Sequence, residues 1–249
     1  MSARIASLAT LMFVAASWPS PAAACSCGGT VPSSTAAQHA DVVFLGTVTR
    51  IDSPPPHSSL QYNADGSISS VAISIGPDLV IFDVTRVFKG TQVPAIGVVN
   101  STSSCGFPFR VGEEWLIYGD EAVGGIAANK CARTRSSESA TQDLVYLRGA
   151  EAKRPQGIVY GEVLRAPDRA NNVQRAVLEP LQVIAASATQ KFATTTDPWG
   201  PFQVVLPPGN FEVWVERREK AISQKRVIHV ENGADVRIQL QAEYSDGDR

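Results

Sequence analysis

Histidine is scarce in this chain. His39, His57 and His229 are the only three in 249 residues, and no H-x-H, H-E-x-x-H or acidic cluster surrounds any of them. A resident metal centre or a nucleophile–histidine–acid triad therefore has no assembly signal. Motifs of the G-x-S-x-G, P-loop and dinucleotide-binding kinds are missing too, so the expectation is a protein that is not an enzyme and takes no cofactor. There is no run of Lys or Arg and no aromatic platform interleaved with basic residues, and the formal net charge is −2, which removes nucleic acid as an expected partner. The apolar run from Ile5 to Trp18 is broken by Pro19 and Pro21, too early for a comfortable membrane span, so no transmembrane segment is expected.

That run has another use. It follows a single basic residue, Arg4, and leads into Ala22-Ala23-Ala24, the small-residue site a signal peptidase needs. Residues 1–24 are expected to be a signal peptide, leaving a secreted or periplasmic protein that starts at Cys25 with a free α-amine. Losing Arg4 takes the formal net charge from −2 to about −3. A cysteine directly after an export signal is also the residue acylated in bacterial lipoproteins. Such sites carry Leu or a larger aliphatic where this chain has Ala22, and a lipid on Cys25 would leave an odd number of thiols, so the lipid anchor is the lesser alternative.

Only four cysteines occur, Cys25, Cys27, Cys105 and Cys131, all beyond the leader, where an oxidising compartment makes disulfides the default. A Cys25–Cys27 bridge would be a strained, very small ring. Both N-terminal cysteines are therefore expected to reach forward to Cys105 and Cys131, in either of two pairings. Each bridge would close a loop of about 80 residues or more, worth roughly 4 kcal/mol in the chain-entropy treatment and less than additive because the loops overlap. C-x-C with two lone, distant cysteines is not a zinc-finger spacing.

The mature length and a 44% hydrophobic content fit two compact domains. In the first, Thr35 and Gln38 form a capping-box pattern predicting one or two turns of helix to Ala40. Strands are expected over 41–50, 79–88, 93–99, 114–118 and 127–133. Residues 53–59 read as loop, and 60–75 as a hairpin around Asn63-Ala64-Asp65-Gly66. Val80, Phe82, Val84 and Phe88 are expected to share one face. A helix over 140–147, capped by Ser139 with Gln142, follows Cys131. Five or so strands with a terminal helix point to a small closed barrel.

Several features of residues 25–150 resemble the netrin-like module of the tissue inhibitors of metalloproteinases, an OB-type barrel. They are C-x-C at the mature N-terminus, a strand ending Phe88-Lys89-Gly90, Cys105-Gly106, then Gly112 and Trp115-Leu116-Ile117-Tyr118-Gly119, and Cys131 before a helix. The resemblance implies the pairing Cys25–Cys105 and Cys27–Cys131. It also implies a partner, a zinc metalloendopeptidase. The α-amine and carbonyl of Cys25 would chelate that partner's catalytic zinc, Ser26 would enter its specificity pocket, and Cys27 would complete the target-binding edge. A neutral amine and a carbonyl are suitable donors for an open zinc position. The animal inhibitors carry a third disulfide in this domain and a cysteine-rich second domain, neither of which this chain has. Gly28-Gly29 also replaces a stiffer continuation, leaving the edge less preorganised.

Residues 151–156, with Lys153, Arg154 and Pro155, read as a charged linker, and 243–249 as a tail. Between them, 157–165, 180–186, 191–196, 202–206, 211–217, 225–231 and 235–241 are seven short strands at sandwich spacing. Phe211, Val213 and Val215 alternate with Glu212, Trp214 and Glu216, as a half-buried strand should. The stretches 196–202 and 206–211 resemble the hairpin signature of carboxypeptidase regulatory-like, or transthyretin-like, domains, accessory modules that bind, space or stabilise. Asn100-Ser101-Thr102 is a glycosylation sequon, meaningful only in a eukaryotic secretory host, whereas the alanine-rich leader favours a bacterial one. The overall expectation is a mainly β protein, an OB-like five-stranded barrel with short helices and then a seven-stranded β-sandwich. It would act as an inhibitor-like binding protein or, alternatively, as a structural or adhesive envelope protein that inhibits nothing.

Overall fold

A computed structural model describes residues 30–243 apart from 56, 74–75, 103–104, 129–130, 167–174, 178, 199 and 218–219. The leader, Cys25, Ser26, Cys27 and the end of the tail lie outside the described residues.

The chain enters through a short helix α1 (Ser33–His39), then β1 (Val42–Asp52), a hairpin of β2 (His57–Tyr62) and β3 (Ile68–Ile73), then β4 (Asp78–Lys89), β5 (Ala95–Asn100), β6 (Glu114–Ala122), β7 (Gly125–Ala128), a two-residue β8 (Arg135–Ser136) and α2 (Thr141–Glu151). Strand β1 pairs with β4, β4 with β5, β5 with β7, β7 with β6, and β6 returns to β1, so the five strands close on themselves. Every pairing is antiparallel except β5 with β7. With the β2–β3 hairpin set aside as an insertion, the barrel order is first, second, third, fifth, fourth and back to first, the connectivity of an OB barrel.

Two cores explain why β1 does not alternate. Its inward residues Phe44 and Val48 join Val80, Phe82, Val98, Phe107, Phe109, Trp115 and Ile117 inside the barrel. The intervening Val43 and Leu45 join Leu116, Tyr118 and the helix residues Ala36, Ala140, Leu144 and Leu147 outside it. A strand buried on both faces reads as a continuous apolar run. The interior is aromatic: Phe109 and Trp115 meet edge-to-face with ring centroids 4.6 Å apart, and Phe82 and Phe109 at 5.3 Å.

The shared face expected for Val80, Phe82, Val84 and Phe88 breaks at its end. Leu45 pairs with Arg86 but the next residue, Gly46, pairs with Val84, leaving Thr85 as an extra residue. This bulge reverses the parity of the strand. Val87 enters the barrel interior and Phe88 packs outside it, against the helix layer. The helix caps also differ. Neither α1, with N-cap Pro32, nor α2, with N-cap Ala140, has a side-chain cap. Strand 127–133 is replaced by β7, a turn over 131–133 and β8.

Beyond α2 come β9 (Gly157–Arg165), β10 (Arg175–Ala176), β11 (Gln182–Ala186), β12 (Lys191–Thr195), β13 (Pro201–Leu206), β14 (Gly209–Arg217), β15 (Lys220–Ala221), β16 (Arg226–Val230) and β17 (Asp235–Ala242). All seven expected strands are present, and the two-residue β10 and β15 extend their edges. One sheet holds β9 with β10, β13 and a parallel β17; the other holds β11 with β12 and β14, and β14 with β15 and β16. Val159, Val163, Phe202, Val204, Leu206, Phe211, Val213, Val215 and Leu240 fill the space between them. The stretches at 196–202 and 206–211 are not hairpins within one sheet. Strands β12 and β14 belong to one sheet and β13 to the other, so both turns carry the chain across the sandwich. Pro207 and Pro208 favour that crossing, since neither has an N–H to continue a ladder.

Candidate functional site

Cys105 and Cys131 are both disulfide-bonded. Cys105 sits in the loop after β5. Asn100 closes that loop: its Nδ2 donates to the Phe107 carbonyl at 3.0 Å and its Oδ1 accepts from the Phe107 N–H at 2.8 Å. Asn100 is 7% exposed. A side-chain amide here imitates one rung of a β-ladder, and a glycan on the sequon would exclude it. A Cβ on Gly106 would lie 1.7 Å from the Ser101 carbonyl oxygen, so only glycine lets the chain fold back behind Cys105.

The two cysteine-bearing segments flank one concavity of about 380 Å³, lined by Gly76, Pro77, Val99, Ser101 and Thr102 on one side and Ala127 and Ala128 on the other. Among the described residues its lining is Gly, Pro, Val, Ser, Thr and Ala, with no titratable side chain. Such a surface of small side chains can receive another chain. Among the described residues no group of three or more His, Cys, Asp or Glu side chains is placed to hold a metal. His39 ends α1, His57 begins β2, and His229 lies exposed with Nδ1 2.7 Å from Asn210 Oδ1.

The start of the described chain is held beside Cys131. Arg133, two residues beyond that cysteine, donates from Nη1 to the Val31 carbonyl at 2.9 Å. The same guanidinium grips Asp143 of α2 through two parallel bonds, Nε to Oδ1 at 2.6 Å and Nη2 to Oδ2 at 2.7 Å. Tyr118 of β6 donates its hydroxyl to Asp143 Oδ1 at 3.1 Å. Burial pushes the Asp143 carboxyl up, but the hydrogen bonds and charge of Arg133 outweigh it and hold the group below the usual carboxylate range. Burial first, and then the charge of Asp143, pushes the Tyr118 phenol up.

Sequence reasoning missed this cluster, although one signal was present. Asp143 lies three residues after Ala140 and four before Leu147, on the stripe that α2 turns inward. A carboxylate on an apolar stripe calls for a buried cation. What the sequence does not show is that the cation is Arg133, in a turn at φ 63°.

A second set of contacts reaches α1 from the sandwich. The Ser33 N–H donates to Gln203 Oε1 of β13 at 2.8 Å, and Gln203 Nε2 donates to Ser33 Oγ. The Ser34 hydroxyl donates to the Asp235 carboxylate of β17 at 2.6–2.7 Å, and that of Thr35 at 3.4 Å. Nearby, the Val205 N–H donates to Gln142 Oε1 of α2 at 3.0 Å, and Arg135 pairs with Asp197 at 3.0 Å. The expected linker takes part: Gln156 donates from Nε2 to the Tyr146 carbonyl and from its N–H to Asn232 Oδ1.

No protein-family model matches the chain. No curated protein matches it either. Among solved structures it is similar to the Bacillus anthracis TIE protein at 12% sequence identity and a TM-score of 0.28, over 82% of this chain and 35% of that one. This chain thus spans about a third of the length of that protein. A likeness of that size carries no argument about function.

Proposed function

We propose that this is an exported, non-enzymatic binding protein whose N-terminal edge inhibits a zinc metalloendopeptidase. In this reading the chain starts at Cys25, without lipid, and Cys25–Cys105 and Cys27–Cys131 are the bridges. The observation that carries it is that, in a closed barrel, three pieces lie next to the four cysteines along the chain. They are the segment leaving the N-terminal cysteines, held at Val31 by Arg133; the turn that bears Cys131; and the concavity between the Cys105 and Cys131 segments. Cys25 would offer its α-amine and carbonyl to the partner's zinc, and Ser26 would fill the adjacent pocket. An α-amine has an unperturbed pKa of roughly 7.7–8.0 and must be neutral to bind a metal, so inhibition should strengthen as pH rises through that range.

The deciding experiment compares the mature chain with one carrying a single extra alanine before Cys25, against a panel of zinc endopeptidases. The extension turns the amine into an amide while leaving disulfides and fold intact, both checked by thiol counts and circular dichroism. Inhibition that survives the extension would rule out chelation by Cys25. Absence of inhibition by the mature chain across the panel would favour the second reading, an interaction module without inhibitory activity. The β2–β3 hairpin supports that second reading, because among the described residues it pairs with no other strand and it presents Leu60, Tyr62 and Ile68 at 67%, 75% and 56% exposure.

A further inference from the structure

We infer that the sandwich is the positioning element for the N-terminal edge, with Gln203 and Asp235 clamping α1 and, through it, the chain that leads back to Cys25. The consequence for inhibition rests on the reading of Cys25–Cys27 as a target-binding edge; the clamp itself does not.

Three observations converge on it. Helix α1 is only seven residues long, has no side-chain N-cap, and has no acidic residue in its first turn, so it has little stability of its own. The donors at its start are satisfied instead across the domain boundary. The Ser33 N–H, a free donor at any helix N-terminus, is taken by Gln203, and the Ser34 and Thr35 hydroxyls by Asp235. These contacts span 170 and about 200 residues of sequence.

Gln203 is also in an unusual place. It belongs to the face of β13 opposite the sandwich core, where a polar side chain would ordinarily be in water, yet it is 3% exposed. Val205 and Ile158, on that same outward face, are 7% and 1% exposed. The helix layer reaches Val205, whose N–H meets Gln142 of α2. A sandwich sheet buried on both faces behaves as an inner layer of the molecule.

Ser33 lies eight residues after Cys25 in the chain. In the reading in which Cys25 and Cys27 are tethered by disulfides, the Gly28-Gly29 pair would run between those tethers and the gripped segment Val31–Thr35. Its freedom would then be that of a short closed link rather than of a free end, and less entropy would be lost when a partner binds.

The test uses the full mature chain and four variants, Asp235→Ala, Asp235→Asn, Gln203→Leu and, as the control for a partly exposed pair at the same boundary, Arg135→Met. Asp235 is exposed, so its variants fold even if Gln203→Leu does not. In Asp235→Ala, hydrogen exchange at the Ala36 and Ala40 amides should rise about ten-fold while Phe44 and Ile117 stay protected. Asp235→Asn, which keeps an acceptor oxygen for Ser34, should restore most of the protection. In a protease assay Asp235→Ala should weaken inhibition by about ten-fold through faster dissociation, and Arg135→Met should not. Unchanged exchange in α1 overturns the clamp. Faster exchange with undiminished inhibition overturns the positioning role. If the wild-type chain inhibits nothing, the target reading fails, and faster α1 exchange in Asp235→Ala still supports the clamp.

Discussion

The segment 31–35 is gripped from two sides, and the two grips are built from different physics. On the barrel side the grip is ionic and dry: Arg133 is 8% exposed, Asp143 1%, and every strong acceptor has a donor facing it. On the sandwich side it is mostly neutral, with buried Gln203 at its centre and an exposed carboxylate, Asp235, at its rim. A buried charge pair cannot lose one member gracefully, because the survivor keeps its desolvation cost without its partner. A neutral seam degrades by degrees, each lost bond costing about 1 kcal/mol. The barrel side should therefore decide whether the domain folds, and the sandwich side how firmly α1 is held.

The largest effect expected is from Arg133→Met, which leaves the buried Asp143 carboxylate with Tyr118 as its one hydrogen-bond donor among the described residues. Loss of about 3–5 kcal/mol in denaturant unfolding is predicted. Adding Asp143→Leu should recover much of it, and a double variant as unstable as the sum of the singles would show that the two residues do not act as a unit.

Next in size is the pH dependence of the same cluster. Asp143 is held below the usual carboxylate range in the folded chain, while unfolded it titrates near about 3.9. A depressed folded pKa contributes stability that is fully present above the unfolded value and lost as pH falls from about 4 through the folded value. Tyr118 is the opposite case: its folded pKa is raised, so its contribution is present below about pH 10 and lost above it. Unfolding midpoints across pH 2–11 should show both limbs. Asp143→Asn should flatten the acid limb and Tyr118→Phe the alkaline one.

A third experiment separates the two sides outright. Residues 157–242 should fold alone, since Val159, Phe202, Val213 and Leu240 close a core that needs nothing from the barrel. The isolated fragment would uncover Val205, which meets α2 in the whole chain, at a cost of up to about 1.5–3 kcal/mol. Protected Val213 and Val215 amides, with a lowered unfolding midpoint, are the expected result. A fragment without protection would mean that the helix layer of the first domain is part of the sandwich's own stability.

The same contrast explains what could be read from the chain beforehand. Strand alternation was legible in β14, where Phe211, Val213 and Val215 face the core and Glu212 is exposed, although Trp214 between them is buried as well; in β13 both faces are buried and no alternation could show. The signature residues of the barrel were legible for reasons now visible. Gly106 admits a close approach, Gly112 adopts φ 89°, Trp115 packs on Phe109, and Lys89 donates to the carbonyls of Ala37 and Gln38 at the end of α1. The two capping boxes failed for one shared reason. Thr35 and Gln142, which fit a local pattern three residues wide, spend their side chains on Asp235 and the Val205 N–H in the other domain. A local motif cannot register a competitor some 200 residues away. Phe88 failed because the parity change at Thr85 is a property of pairing with β1, not of β4 itself.

The smallest effect sharpens the comparison most. Arg135 and Asp197 form a second ion pair, again an arginine in the turn region after Cys131, at 3.0 Å but with side chains 21% and 39% exposed. Only Nη1 reaches the carboxylate, and the buried Nε has no partner among the described residues. Chemistry and distance nearly match the Arg133–Asp143 pair; burial and donor geometry do not. Solvent screening should leave this pair with about 0.2–1 kcal/mol, and Arg135→Met should change stability by less than that because it also removes an unsatisfied donor. Asp197→Ala tests the partner without removing its turn, since the bonds there, from its N–H to the Pro201 carbonyl and from the Gly200 N–H to its own carbonyl, are backbone bonds. Double-mutant cycles on the two pairs, run side by side in one denaturant, should give a coupling below about 1 kcal/mol here and several-fold more at Arg133–Asp143. Equal couplings would mean that burial is not what separates the two grips, and that the inter-domain seam contributes to folding as much as the barrel's own ion pair does.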